Sequence, residues 1–480
     1  MAPGFIEEHA LWTDAQREAG ERLATTIEQL NLREVRISWG DQHGIVRGKT
    51  LTIPEFLGSL QHGKDFQFVT TIFDTTNHPI VPPFAAGNFA NVPELNGLPD
   101  GVLVPDPLTF RVLPWVEHTG WILADAYFQS GREHPFSTRG VLRRQLSTLR
   151  ELGYDLVTGL ELEFYIFRLE DAMLRPEDSG WPPEAPRVAI LQHGYQYLTE
   201  SRSDEISELL RTLRDHLLNL GLPLSTIEDE WGPGQIELTF EPQVGLTAAD
   251  SALLARSALK QVCRRLGYHA TFMAKPALPN LFGTGWHIHQ SLTGQDRADN
   301  AFRDPEGARR LSPVGERWLA GLLAHAFPAC VFTTPTITGY KRFLPDSFAP
   351  DRITWAVENR AAMLRVIGAP GSRACHIENR VGDPAANPYL YLASQVACGI
   401  DGVRRDLHPG DPTEEPYTSN EPRLPLSLMV AVDALDGDPF FRSAFGATFV
   451  DYIVALKRFE IGRFLRHVTD WEQREYFEMY

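Results

Sequence analysis

Four cysteines in 480 residues, Cys263, Cys330, Cys375 and Cys398, stand far apart without a CxxC pair. Such spacing offers neither a zinc ribbon nor the disulfide framework of a small secreted domain, and a reducing cytoplasm is the compartment it suits. Positive charge is scarce too: 45 Lys and Arg face 62 Asp and Glu, for a formal charge of −17. That field repels phosphate backbones and anionic bilayers, so neither nucleic acid nor a membrane surface is an expected partner. No run of 18 apolar residues occurs, and the opening Met-Ala-Pro-Gly-Phe-Ile-Glu-Glu lacks a signal-peptide pattern, so a soluble cytoplasmic protein is expected. What remains is an ordinary globular composition, 43% apolar and 22% charged, with enough chain for a large catalytic domain and a smaller companion.

The apolar pattern divides the chain. An amphipathic helix is expected over 13–30, then a hairpin over 34–52 in which Val35, Ile37 and Trp39 alternate with polar residues and Asp41-Gln42-His43-Gly44 supplies the turn. Prolines at 79, 82, 83, 93, 99, 105, 107 and 114 punctuate residues 79–115, which read as loop and extended chain. The boundary between a small N-terminal unit, 1–115, and a large C-terminal unit, 116–480, is placed there. Beyond it a pattern recurs: an amphipathic helix ends at Leu-Gly (152–153, 220–221, 266–267), where glycine takes the left-handed conformation at low cost, and a strand follows. The expected strands, 156–168, 236–240, 270–274 and 287–292, are polar on one face. Helices interleaved with such strands predict an α+β fold: an antiparallel sheet with helices on one side and an open polar face on the other. Residues 170–188 and 406–424, rich in proline and acid, read as surface loops.

Chemistry can sit on that open face. In Gly159-Leu160-Glu161-Leu162-Glu163-Phe164-Tyr165-Ile166-Phe167, alternation sends Leu160, Leu162, Phe164 and Ile166 to the buried side and Glu161 and Glu163 to the other, about 7 Å apart. Chance gives about eight i,i+2 acidic pairs in a chain this acidic, so a solvated sheet face explains the bare pair equally well. A second segment, Glu228-Asp229-Glu230-Trp231-Gly232-Pro233-Gly234-Gln235-Ile236-Glu237, passes a Gly-Pro-Gly turn into a strand with Gln235, Glu237 and Thr239 on one face. The turn can fold Glu230 back beside Glu237. Helix capping or loop solubility accounts for some of these acids, yet acids on both sides of a tight turn invite a cation.

Two further segments add nitrogen. Gly283-Thr284-Gly285-Trp286-His287-Ile288-His289-Gln290-Ser291 sets two histidines on one strand face, with a buried structural histidine as the bland alternative. His376-Ile377-Glu378-Asn379-Arg380 places His, Glu and Arg together, and Arg342, Arg360, Arg365 and Arg373 fall in the same third of the chain. Five glutamates and a histidine suit Mg²⁺ or Mn²⁺ better than a thiolate-seeking metal, while guanidinium forks suit phosphate and carboxylate. Metals bridging phosphate oxygens, with arginines neutralising charge in transit, are the apparatus of phosphoryl transfer. No GxxxxGK(S/T) loop occurs, so any ATP is not held by a P-loop.

In order and content this set resembles the glutamine synthetase superfamily. Glu161-Leu162-Glu163 is similar to its E-x-E strand, Glu230 through Glu237 to its second acidic motif, and Lys275-Pro276 through His287-Ile288-His289 to its K-P and H-x-H segment. Tyr340-Lys341-Arg342 with Pro345, then Asn359-Arg360 and Arg365, then Glu378-Asn379-Arg380 with Asp383-Pro384-Ala385-Ala386-Asn387-Pro388-Tyr389, complete it. The resemblance implies one metal held by Glu163, Glu230 and Glu237 and a second held by Glu161, His287 and Glu378. It places His289, Ser291, Arg365 and Arg373 at the nucleotide, Arg342, Arg360 and Arg380 at the glutamyl substrate and transferred phosphoryl group, and Gly283 at the substrate. The implied architecture is a small N-terminal β-grasp domain and a large C-terminal catalytic domain of the glutamine synthetase/guanido kinase type. The implied assembly is a homo-oligomer, a dodecamer of two hexameric rings with sites shared between subunits. The implied reaction uses glutamate, ATP and an amine: the γ-carboxylate attacks the ATP γ-phosphate, and the amine then displaces phosphate from γ-glutamyl phosphate.

The sequence departs from the ammonia-using members at informative positions. In the flap Lys341-Arg342-Phe343-Leu344-Pro345-Asp346-Ser347-Phe348-Ala349-Pro350, Phe348 stands where those enzymes carry a glutamate that attracts and deprotonates ammonium. Phe282 replaces their glutamate-contacting asparagine, and Trp286 adds another large ring. Their second ammonium-holding carboxylate resembles Asp74 in Phe73-Asp74-Thr75-Thr76-Asn77. A site with fewer charges and more rings favours an amine bearing an organic group. The expectation is therefore a γ-glutamyl-amide synthetase, similar to the branch acting on polyamines, alkylamines or anilines and leaning toward an apolar or aromatic amine. The alternatives are a glutamine synthetase using ammonia, a metal-dependent amidohydrolase suggested by HxH alone, and a catalytically silent relative.

Overall fold

The computed structural model describes residues 3–84, 92–171, 175–295 and 299–480. Parts of two expected loops, 85–91 and 172–174, lie outside the described residues. Thr13 starts the first long helix, Asp14–Gln29: its hydroxyl accepts from the Gln16 N–H while the Gln16 side chain reaches back to the Thr13 N–H. Strands β1 (Glu34–Gly40) and β2 (Val46–Thr52) make the expected hairpin. Asp41 wires its turn, one oxygen accepting from the His43 and Ile45 N–H groups at 2.9 Å and the other meeting Arg47 at 2.8 Å.

β3 (Lys64–Gln67), β4 (Asp100–Pro105), β5 (Arg111–Val112) and β6 (Thr119–Tyr127) complete a six-stranded sheet in the order β2-β1-β6-β4-β3, with β5 on β6. β1 and β6 run parallel, and helix Ile53–His62 packs on the sheet, in keeping with the expected β-grasp unit. Two expectations change here. The proline-rich stretch 79–115, read as loop and extended chain joining two units, instead contributes β4 and β5 to the small sheet; Pro99 precedes β4 and Pro105 ends it, positions where a missing N–H does little harm. β6 lies beyond residue 115 yet sits between β1 and β4. We therefore place the division of the chain after Tyr127 rather than at 115.

The large unit is built on β7 (Tyr154–Leu169), β8 (Val188–Ile190), β9 (Leu224–Asp229), β10 (Gln235–Val244), β11 (Tyr268–Thr271), β12 (Trp286–Gly294), β13 (Trp355–Val357), β14 (Leu364–Ile367) and β15 (His376–Asn379). They form a nine-stranded sheet in the order β13-β14-β15-β12-β7-β10-β9, with β8 and β11 also on β7, antiparallel except at β13–β14. Leu160, Leu162, Phe164 and Ile166 are at most 2% exposed, as their alternation requires. Helices Thr138–Glu151 and Leu246–Arg265 pack on β7, and Pro388–Arg404 packs against both. Gly153, Gly221 and Gly267 sit at φ of 92°, 74° and 82°, ending helices where the Leu-Gly pairs predict.

A buried charge cluster fastens the two units. Arg139 reaches Asp106 at 2.8 Å, Asp125 of β6 at 3.0 Å and Asp250 at 2.9 Å. Arg143 adds a second positive charge 2.6 Å from Asp125. Burial raises the Asp125 carboxyl, but Arg143 and Arg139 outweigh it and hold the group below its ordinary value. Replacing Arg139 by Met strands these carboxylates, and we expect a loss of about 3–5 kcal/mol. Arg150→Met, which breaks a pair with Asp155 whose arginine is 64% exposed, should cost about 1 kcal/mol or less. Urea unfolding midpoints compare the two, and equal losses would contradict the fastening role.

Candidate active site

The register of the large sheet assembles the acids. On β7, Glu163 stands opposite Glu237 of β10, and Glu237 stands opposite Glu228 of β9. Glu161 faces His287 of β12, and Glu378 of β15 pairs with His289 on one side and Arg365 of β14 on the other. Glu230 precedes the Gly-Pro-Gly turn into β10, its own carboxylate accepting from the Trp231 N–H at 2.9 Å. All six side chains that the family resemblance names as metal ligands, Glu161, Glu163, Glu230, Glu237, His287 and Glu378, line one cavity of about 700 Å³.

That cavity has two electrostatic halves. In one, a ligand atom from each of Glu161, His287 and Glu378 lies within 4.8 Å of the others. His287 bonds Glu161, His289 Nε2 stands 3.1 Å from the other Glu161 oxygen, and Glu378 is bracketed by Arg380 and by Arg365 at 3.1 Å. Burial alone would raise both carboxyls; the histidines beside Glu161 and Arg380 beside Glu378 overcome it, and both lie below their ordinary values. In the other half Glu163 has as ion-pair partner only His287 Nε2, 3.9 Å away, and no ion pair to Glu230 or Glu237 occurs among the described residues. Burial, then repulsion from Glu161, Glu163 and Glu230, pushes Glu237 up to about 10, and burial with Glu163 pushes Glu230 up to about 7. Carboxylates held in that state are short of positive charge, and oxygen donors crowding one space suit a hard divalent cation.

Arginines and rings border the acids. Arg342, Arg360, Arg365 and Arg380 line the cavity, as does Gly283, where an added Cβ would stand 3.1 Å from the Arg342 side chain. Arg342 is buried and donates to the Gly382 carbonyl at 2.8 Å. Phe282 and Phe348 also line it, together with Trp231, to which the sequence reading gave no role; its place beside Glu230 in the second acidic motif was the available signal. Their ring centroids are 6.5 Å (Trp231 to Phe282), 5.5 Å (Trp231 to Phe348) and 6.3 Å (Phe282 to Phe348) apart. Tyr197 is a further lining residue outside the motifs, and Lys275 and Lys341, which lie in the motifs without an assigned role, line the cavity too.

Other expected site residues fall elsewhere. Trp286 does not join the rings at the cavity: it is fully buried, edge-on to Tyr391 at 5.3 Å, because on a strand it must face away from its neighbour His287. Arg373 is not drawn in either, with its side chain 77% exposed and 3.6 Å from Asp299. His289 and Ser291 share the face of His287, yet neither lines the cavity; His289 is held by Glu161 and, at 3.0 Å, by His376. Asp74 does not reach its own chain's cavity. Its carboxylate closes a turn, accepting from Thr76 and His78, and its second oxygen lies 3.1 Å from Arg463. Burial raises that group, but the His78 and Thr76 hydrogen bonds and Arg463 leave it below its ordinary value.

Fold and site together define a class: an α+β enzyme whose helix-backed, largely antiparallel sheet carries an acid-lined cavity suited to a divalent cation and bordered by arginines, an arrangement that fits phosphoryl chemistry. The family described as "Glutamine synthetase, catalytic domain" matches residues 135–476, well over half of the chain, and the chain belongs to that family. It is 44% identical to a gamma-glutamylanilide synthase of Acinetobacter sp, over 99% of both sequences. With a glutamate–isopropylamine ligase of Pseudomonas sp it shares 30% identity over 94% of this chain and 96% of the other. The solved GmaS/ADP complex superposes with a TM-score of 0.79 at 27% identity, covering 95% of this chain and 99% of that one. The amidohydrolase reading of HxH is thereby excluded, and the motif lies inside an antiparallel sheet rather than opening a barrel.

The raised acids set a pH dependence. A carboxyl that titrates higher folded than unfolded binds more protons in the folded state, so its charging opposes folding as pH rises. Metal-free protein should lose thermal stability as pH rises from about 4.5 through about 7 as Glu230 charges, and again toward about 10 with Glu237. Adding Mg²⁺ or Mn²⁺ should restore it most at the alkaline end. A metal-induced rise in melting temperature that shrinks with increasing pH would refute this account.

Proposed function

We propose that the chain is an ATP-dependent ligase joining the γ-carboxylate of glutamate to an organic amine, with ADP and phosphate released. The observation carrying this is the single cavity in which six acid and histidine side chains, four arginines and a wall of rings meet. The named activities of the anilide synthase and the isopropylamine ligase support it, and the ADP complex of the structural relative supports a nucleotide here. We place one divalent cation, Mg²⁺ or Mn²⁺, on Glu163, Glu230 and Glu237 and another on Glu161, His287 and Glu378; when bound, they neutralise phosphate charge and polarise the transferred group.

The chain's own groups do the rest. Arg342, Arg360 and Arg380 hold the glutamyl carboxylate and the transferred phosphoryl oxygens, and Arg365 the nucleotide phosphates, by charge-assisted forks. His289, Ser291 and Arg373 complete the nucleotide's surroundings in this reading, His289 by fixing Glu161. A γ-carboxylate oxygen attacks the γ-phosphorus and ADP leaves with the bonding pair. The amine nitrogen then attacks the γ-carbonyl carbon, the C–O bond to phosphate breaks, and nitrogen gives up one proton. Asp74, absent from its own cavity, serves the site of a neighbouring subunit in a dodecamer of two hexameric rings. The cytoplasm is the compartment that the four scattered, unpaired cysteines suit in this reading. Among the described residues no helix is long and apolar enough to cross a membrane.

Phosphate release with ATP, glutamate, Mg²⁺ or Mn²⁺ and a panel of amines tests the reading. Turnover should favour at least one organic amine over ammonium, and Glu378→Gln should lower it at least about 10²-fold. Ammonium outperforming every organic amine would sink the proposal.

A further inference from the structure

Resting on that ligase reading and on the anilide synthase's named activity, we infer that Trp231 is the residue that sets a preference for an arylamine acceptor, with nitrogen bonded directly to an aromatic ring. Two of the three rings at the cavity wall are fixed by backbone hydrogen bonds. The Trp231 N–H donates to Glu230 at 2.9 Å and its carbonyl accepts from the Gln196 N–H at 3.1 Å. The Phe282 N–H donates to the Tyr165 hydroxyl at 2.9 Å, and that hydroxyl stands 3.1 Å from the Phe282 carbonyl. The third, Phe348, is carried by a flap that Tyr417 ties down through the Ala349 carbonyl at 3.1 Å, and its φ of +60° is an unusual conformation for a bulky residue. Trp231 and Phe282 lie within 29° of parallel, while Trp231 is 44% and Phe348 56% exposed, so both keep ring surface free for a planar guest.

Three rings could also attract an alkylammonium through their π faces. The second step argues against that guest. Only an unprotonated nitrogen attacks; the flap residues lining the cavity, Lys341, Arg342, Leu344, Ser347, Phe348 and Ala349, include no acid, and of the glutamates that line it this reading gives all but Glu228 to the cations. A cage that favours the cation would hold an alkylamine in its unreactive form. In an arylamine the lone pair is delocalised into the ring, which makes it a far weaker base, so it arrives neutral and needs no deprotonation before attack. As the C–N bond forms and the C–O bond breaks, phosphate departs with the electron pair and its oxygens can take the proton that nitrogen loses. Trp231 follows Glu230 directly, so a ring stacked on it is presented at the cation site where the acyl phosphate is made.

The test compares kcat/KM of the full chain for aniline, benzylamine and cyclohexylamine, which separate ring contact from basicity. Aniline should exceed benzylamine about tenfold and cyclohexylamine about 100-fold. W231L should shrink the aniline-to-cyclohexylamine ratio about tenfold, and W231F, which keeps an aromatic face, should hold it within about threefold of wild type. Cyclohexylamine or benzylamine matching aniline overturns the arylamine assignment and leaves the ligase reading intact. A ratio unchanged in W231L, with W231F confirming a folded variant at this position, overturns the role of Trp231. No turnover of any amine or ammonium, with ATP and glutamate present, overturns the ligase reading itself.

Discussion

Repulsion among carboxylates in a space that water only partly reaches is the constraint around which this molecule is arranged. Strand pairing forces Glu163, Glu237 and Glu228 into one row across β7, β10 and β9. Nothing in that row is cationic, so relief of its charge has to come from protons or from cations outside the row. The neighbouring half is balanced by His287, His289, Arg365 and Arg380, which lets Glu161 and Glu378 stay ionised. The asymmetry gives the two halves different demands: one calls for a cation to relieve its own charge, and the other has partners of its own. Holding such a face together falls to the apolar side of the same strands and to the helices behind it.

Much of this was legible in the sequence because a strand has a period of two. That rule placed Glu161 and Glu163 together and Leu160 and Leu162 beneath them, as found. Applied consistently it also sends Trp286 to the face opposite His287, so the expectation of a cavity ring there came from chemical type, with geometry left out. The boundary read at 115 is moved past β6 for a related reason. The prolines were read as loop and extended chain joining two units, yet they flank β4 without interrupting it, and β6 is buried nearly throughout, which gives it no alternation to detect. Arg373 and Asp74 were assigned by position in a motif; their placement depends on long-range packing, against Asp299 in one case and Arg463 in the other. The aromatic wall was half visible: Phe282 and Phe348 stood out as departures from the resemblance, while Trp231 has meaning only once the turn before β10 brings it to them.

The two units are held by contacts of different kinds. Arg139 fastens them through charge, whereas the hairpin turn of the small unit docks through its backbone, Asn387 donating to the Asp41 carbonyl at 3.0 Å and Arg256 to the Gly44 carbonyl at 3.0 Å. Arg256 also donates to the Pro384 and Ala386 carbonyls and lies over the Trp286 ring, which gives that tryptophan its role. Segment 380–387 carries Arg380 into the cavity at one end and grips the small unit at the other. One short segment thus joins the hairpin turn to an arginine of the site.

The acids and the rings occupy different kinds of backbone. Glu161, Glu163, Glu237, His287 and Glu378 lie on paired strands, where a slip of one residue would swap polar and apolar faces along the whole strand. Trp231, Phe282 and Phe348 lie between strands, where a side chain can be exchanged without unsettling a ladder. Descendants of such a scaffold are free to retune which nucleophile they accept by altering a few connecting residues, while the apparatus for activating the acid is inherited whole.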